Sequence, residues 1–169
     1  MGFLRIYWAK LKAQMVKDPL PPNRVAAGWA LGMFAGCFVP FGLQLVITVP
    51  LSFLLRVSKI GATVGTLITN PVTIFFIYPV QIWVGSRLVG MPLTWGYIHD
   101  ASAKLAQISL LSADGWSALS EIGGRVLGGF FAGGLLLALV CTPVTYFFVR
   151  HVVVRYRRFR AQKKRGASK

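Results

Sequence analysis

The chain has 169 residues, 55% of them hydrophobic and only 14% charged, and its mean hydropathy of +0.62 excludes an ordinary soluble domain. Lys and Arg supply 19 of the charges against 4 acidic residues, so a net charge of +15 calls for anionic partners. Uncharged runs long enough to cross a bilayer make those partners anionic phospholipid headgroups, and nucleic acid is not expected.

Residues 3 to 17 place Phe3, Leu4, Tyr7, Trp8, Leu11 and Met15 on one helical face, flanked by Arg5, Lys10, Lys12 and Lys17. That pattern predicts an amphipathic helix lying in the membrane surface; the alternative is a helix packed on the protein's own cytoplasmic side. Asp18-Pro19-Leu20-Pro21-Pro22 stops it, so residues 1 to 24 form an interfacial helix and a proline-rich linker. No removable signal peptide or lipidation signal is expected at this end.

The membrane domain is expected over residues 25 to 149. Within it, 25 to 55 is uncharged but split at Pro40-Phe41-Gly42, giving two short helices that either cross twice or dip in and return. Residues 60 to 86 read as one broken crossing, interrupted at Thr69-Asn70-Pro71 and again at Pro79. Residues 87 to 125 hold Asp100, Asp114 and Glu121 with Trp95, Tyr97 and Trp116, and suit the outer face. Residues 126 to 149 form an ordinary span, and residues 150 to 169 a basic tail that continues its helix. Sixteen of the cations fall at the two ends and in residues 56 to 59, and three in 87 to 125, so the positive-inside rule puts both termini in the cytoplasm.

Several positions suggest packing or binding. Gly28, Gly32 and Gly36 recur every four residues, as do Gly61 with Gly65 and Gly124 with Gly128, which marks faces where helices approach closely. Such faces build a compact bundle, and also suit a homo-oligomer. At Asn70-Pro71 a half-helix is expected to start in mid-run, with its amides and dipole aimed at whatever fills the gap. The other break, Pro40 to Gly42, has Gln44 one turn away, and paired broken segments point to a midplane site with Thr73 nearby. The alternative is that the polar groups here satisfy one another. Cys37 and Cys141 read as small core residues, and no histidine stands at metal-ligand spacing. Of the two histidines, only His99, beside Asp100, offers anything to a membrane enzyme, so catalytic residues, metals and cofactors are not expected.

The segment Ala27-Gly28-Trp29-Ala30-Leu31-Gly32-Met33-Phe34-Ala35-Gly36, with Pro40-Phe41-Gly42-Leu43-Gln44 and then Thr69-Asn70-Pro71-Val72-Thr73, resembles a bacterial family of small membrane proteins, domain of unknown function 2062. The similarity spans about Pro21 to Arg150. Some members look to be fused to glycosyltransferase-like domains, which implies work on envelope polysaccharide or lipid-linked sugars.

The expected fold is an all-α integral membrane protein, a compact bundle of short, broken transmembrane or re-entrant helices behind an interfacial amphipathic helix. The expected function is non-enzymatic: binding or translocating an anionic lipid or lipid-linked envelope precursor in the bacterial inner membrane. The ligand-binding residues would be Arg24, Pro40, Gly42, Gln44, Arg56, Lys59, Asn70, Pro71 and Thr73. A second reading is a membrane scaffold that recruits or orients an envelope enzyme through its basic cytoplasmic face.

Overall fold

The structure, a computed structural model, describes residues 13, 16–70, 72–107 and 123–166. Most of the expected interfacial helix, Pro71, and Asp114, Trp116 and Glu121 of the outer segment lie outside the described residues. Regular structure among the described residues is helical: α1 Pro22–Phe38, α2 Leu43–Leu54, α3 Lys59–Gly65 with a 3-10 turn Thr66–Ile68, α4 Ile74–Leu88, α5 Trp95–Gln107 and α6 Gly124–Gly166.

Local chemistry sets the boundaries. Pro22 opens α1, where its missing N–H costs nothing, and Val39 is driven extended by the proline that follows it. Gly42 takes φ +96 to turn the chain into α2. At the far end of α2 the Val57 amide donates to the Ser52 carbonyl and the Arg56 amide to the Phe53 carbonyl, both at 3.1 Å. Those two bonds make a Schellman stop, with Arg56 at φ +53 in the place glycine usually takes. Ser58 then caps α3 by accepting from the Gly61 amide at 2.8 Å. The expected second interruption at Pro79 is absent, because Pro79 sits inside a continuous α4. Pro143 likewise lies within α6, whose 43 residues extend about 65 Å at 1.5 Å per residue.

Helix α6 is the wall on which the rest is built, since α1 and α4 both pack along it. Val25, Ala26 and Trp29 of α1 meet Val149 and Val153, while Tyr78 and Ile82 of α4 meet Val126 and Phe130. Both helices therefore run antiparallel to α6, one behind the other, and they meet near Gly134, where a Cβ would touch both the Cys37 carbonyl and the Gln81 side chain. Ile98 and Ala101 of α5 close the second core.

The glycines fit this packing in part. A Cβ on Gly28 would overlap Ser58, one on Gly32 the Ala62 carbonyl, and one on Gly65 the Trp29 carbonyl, while the Gly36 carbonyl accepts from Thr69. Helices α1 and α3 thus run parallel with backbones in direct contact, as the four-residue spacing predicts. Gly124 and Gly128 do not take part: a Cβ there meets nothing within 4 Å. The close face of α6 is instead Gly129 and Gly133, against Ile82, Gly85 and Gln81.

Burial is inverted on α2. Its buried residues are Gln44, Thr48 and Ser52, at 2%, 0% and 0% exposure, whereas Leu45, Val46, Ile47, Phe53 and Leu54 face outward. Outward apolar residues continue along α4 and α6, including Phe75, Phe76, Val80, Leu139, Val140 and Phe147. Among the described residues one helix, α6, is long and apolar enough to cross a membrane.

Candidate functional site

The two breaks do come together. Thr69 Oγ1 donates to Gln44 Oε1 at 2.9 Å and reaches the Gly36 carbonyl at 2.9 Å, and Gln44 Nε2 lies 3.4 Å from the Thr66 carbonyl. Phe41, in the turn between Pro40 and Gly42, donates its amide to the Tyr78 hydroxyl at 2.8 Å. Asn70 and Thr73 form a reciprocal cap: Asn70 Oδ1 accepts from the Val72 and Thr73 amides at 3.0 and 3.1 Å, and Thr73 Oγ1 accepts from the Asn70 amide at 2.9 Å. The amides expected to face a gap are thus bonded to side chains next to them, and Gln44 and Thr69 spend their polar groups on each other. What this cluster does chemically is tie α1, α2, the 3-10 turn and α4 at one level.

The three cations lie elsewhere. Arg24 at the start of α1, Arg56 after α2 and Lys59 at the start of α3 line one cleft of about 370 Å³, together with Asp18, Phe53 and Ile60. Arg24 and Arg56 bound the apolar run 25 to 55 and Lys59 precedes the run 60 to 86, and antiparallel α1 and α2 with parallel α1 and α3 bring these positions to one place. The cleft and the breaks are therefore at opposite ends of α1, about 25 Å apart for its 17 residues. Arg24, Arg56 and Lys59 are exposed, and among the described residues no carboxylate lies within 4.0 Å of any of them. The Lys59 ammonium stands 3.9 Å from the Phe53 ring centre, a cation–π contact that holds it over the cleft's apolar wall.

Asp18 is the part of this site that the sequence does not announce, since Asp18-Pro19 reads only as a helix stop. It is 7% exposed, accepts from the Leu20 amide at 3.0 Å through Oδ1, and accepts from the Ser58 hydroxyl through Oδ2. Arg157 of α6 donates to the Asp18 and Leu20 carbonyls at 2.7 and 2.8 Å, and Arg150 donates to Asn23 Oδ1 at 2.8 Å. The basic tail is thus clamped to the linker that forms one side of the cleft. A burial of backbone carbonyls against an arginine 137 residues away leaves no local sequence signal.

Two other features were also out of reach of the sequence. Gln81 lines an apolar groove of about 410 Å³ between α4 and α6; its Nε2 donates to the Phe130 carbonyl at 2.8 Å, and its Oε1 has no partner among the described residues. Cys37 and Cys141, far apart in the chain, come near each other across α1 and α6 as free thiols. His99 and Asp100 are neighbours on α5, 3.9 Å apart and largely exposed, with no third group converging on them among the described residues.

No curated protein and no solved structure matches the chain. A family described as an uncharacterized protein conserved in bacteria, DUF2062, matches residues 5–162, nearly the whole length, and the chain belongs to that family.

Proposed function

We propose that this is a non-enzymatic, multi-pass protein of the bacterial inner membrane that binds an anionic lipid or lipid-linked precursor at the Arg24–Arg56–Lys59 cleft. The observation that carries the reading is three exposed cations with no carboxylate partner among the described residues, set beside the exposed apolar residues Phe53 and Ile60. Cations at the edge of an apolar surface match a phosphate headgroup at the boundary of acyl chains. The inverted burial of α2 supports membrane placement, since outward Leu, Val and Phe with inward Gln, Thr and Ser suit lipid and not water. The cleft and both termini then face the cytoplasm, which the charge asymmetry supports through the positive-inside rule. On this reading α1 and α2 form a re-entrant hairpin, because α1 rises only to the level of Gly134 on α6.

Binding is favoured over passage through the midplane, because the polar groups at the two breaks are paired within the protein. Native mass spectrometry of the protein released from detergent is the test. Wild type is expected to retain phosphatidylglycerol over phosphatidylcholine, and Arg56→Gly and Lys59→Gln to lose most of that preference. Equal retention by wild type and both variants would remove the cleft from the function.

The scaffold reading draws on the exposed Arg155, Arg158 and Arg160 farther along α6. A second copy or an envelope enzyme docking there would be released by changing those three to Ala with Arg157 left in place.

A further inference from the structure

We propose that the cleft selects a lipid phosphate monoester over the phosphodiester headgroups of the bulk membrane. This rests on the lipid-binding role proposed above and adds the class of headgroup. Arg24, Arg56 and Lys59 set against Asp18 leave the cleft with two net positive charges. Asp18 is not free to cancel a particular cation. Both of its oxygens already accept hydrogen bonds, from the Leu20 amide and the Ser58 hydroxyl, and it forms no ion pair with any of the three. It acts as a fixed negative charge in the wall.

A phosphodiester brings one negative charge to this site, whereas a phosphate monoester carries about −1.5 to −2 near pH 7 and balances both positive charges. The donor set matches in number as well. A monoester presents three terminal oxygens and a diester two, and the cleft offers two planar guanidinium forks and one ammonium. The ligand is a lipid and not a free phosphate because Phe53 and Ile60, 56% and 51% exposed, line the same cleft as the cations. An apolar wall beside a phosphate site serves an attached chain and does nothing for a hydrated ion.

The test is native mass spectrometry of the full chain with phosphatidic acid or phosphatidylglycerol of the same acyl composition at equal concentration. Phosphatidic acid is expected to be retained roughly tenfold more than phosphatidylglycerol, the size expected of one more charge at a partly solvated site. Asp18→Asn, which adds one net positive charge and keeps an acceptor for the Leu20 amide, is expected to raise retention of both lipids and to widen the ratio, because the more positive site favours the more highly charged headgroup. Excess glycerol phosphate is expected to leave the lipid in place. Equal retention of the two lipids, falling for both in Arg56→Gly, would overturn the selectivity and leave the lipid-binding role standing. Retention of both lipids unchanged in Arg56→Gly and Lys59→Gln would overturn the two together, and displacement by glycerol phosphate would overturn the lipid source.

Discussion

Arg56 holds a backbone conformation that glycine adopts freely, and it does so while closing α2 with a Schellman stop. A left-handed non-glycine residue costs about 1–2 kcal/mol, and strain of that size tends to persist where the side chain has a task. Here the side chain is one of the three cations of the cleft. Arg56→Gly is therefore expected to stabilise the fold by about 1 kcal/mol, read as a higher unfolding midpoint in detergent, while it weakens lipid retention. A variant that lost stability along with binding would show that the guanidinium holds the fold. The three cations were legible in the sequence because each borders an apolar run. Asp18 was not, because its burial depends on Ser58, 40 residues away, and on the clamp from Arg157. The roles of Gln44, Asn70 and Thr73 were legible only as alternatives, since the same residue types serve an open ligand site or a closed hydrogen-bond cluster, and only the partner decides.

For the helices, the spacing of small residues predicted the contact between α1 and α3 but not the face of α6. Residues 123 to 134 carry Gly123, Gly124, Gly128, Gly129, Gly133 and Gly134, so two registers one residue apart fit the same four-residue rule. The partner α4 picks one of them. Gly133 lies against the Gln81 carbonyl and Gly85 against the Gly129 carbonyl, both backbone atoms that have no rotamer to escape into. Gly133→Ala is expected to destabilise by about 1–3 kcal/mol, the usual cost of overpacking a close contact. Gly128→Ala meets open space and is expected to be neutral or to gain up to about 1 kcal/mol of helix propensity. Thermal unfolding of the two variants side by side checks the register, and equal effects would refute it. The inverted burial of α2 is not evident in the sequence, although Gln44, Thr48 and Ser52 recur every four residues. A polar stripe on an apolar helix reads the same whether it faces water or the core, until the neighbouring helices are placed.

At the scale of the whole molecule, the long helix α6 joins what the sequence divides into a span and a tail. Its apolar part carries α1 and α4, and its basic part reaches back through Arg150 to Asn23 and through Arg157 to the Asp18 and Leu20 carbonyls. Truncation after Val149 therefore removes more than a charged tail. It releases the linker that carries Asp18 and, through it, one side of the cleft. Separating the two uses of the tail requires Arg157→Ala against a triple change of Arg155, Arg158 and Arg160 to Ala. The first takes away two charge-assisted hydrogen bonds to backbone carbonyls, each worth about 1.5–3 kcal/mol when the acceptors are left without a donor. It is expected to loosen the linker and lower lipid retention several-fold, although Arg157 is not among the residues that line the cleft. The triple change leaves the clamp in place and is expected to spare lipid retention while removing any partner held by the exposed face. If the triple variant lost lipid as fully as Arg157→Ala, the tail would be acting through its summed charge, and the clamp would not be the link between α6 and the cleft.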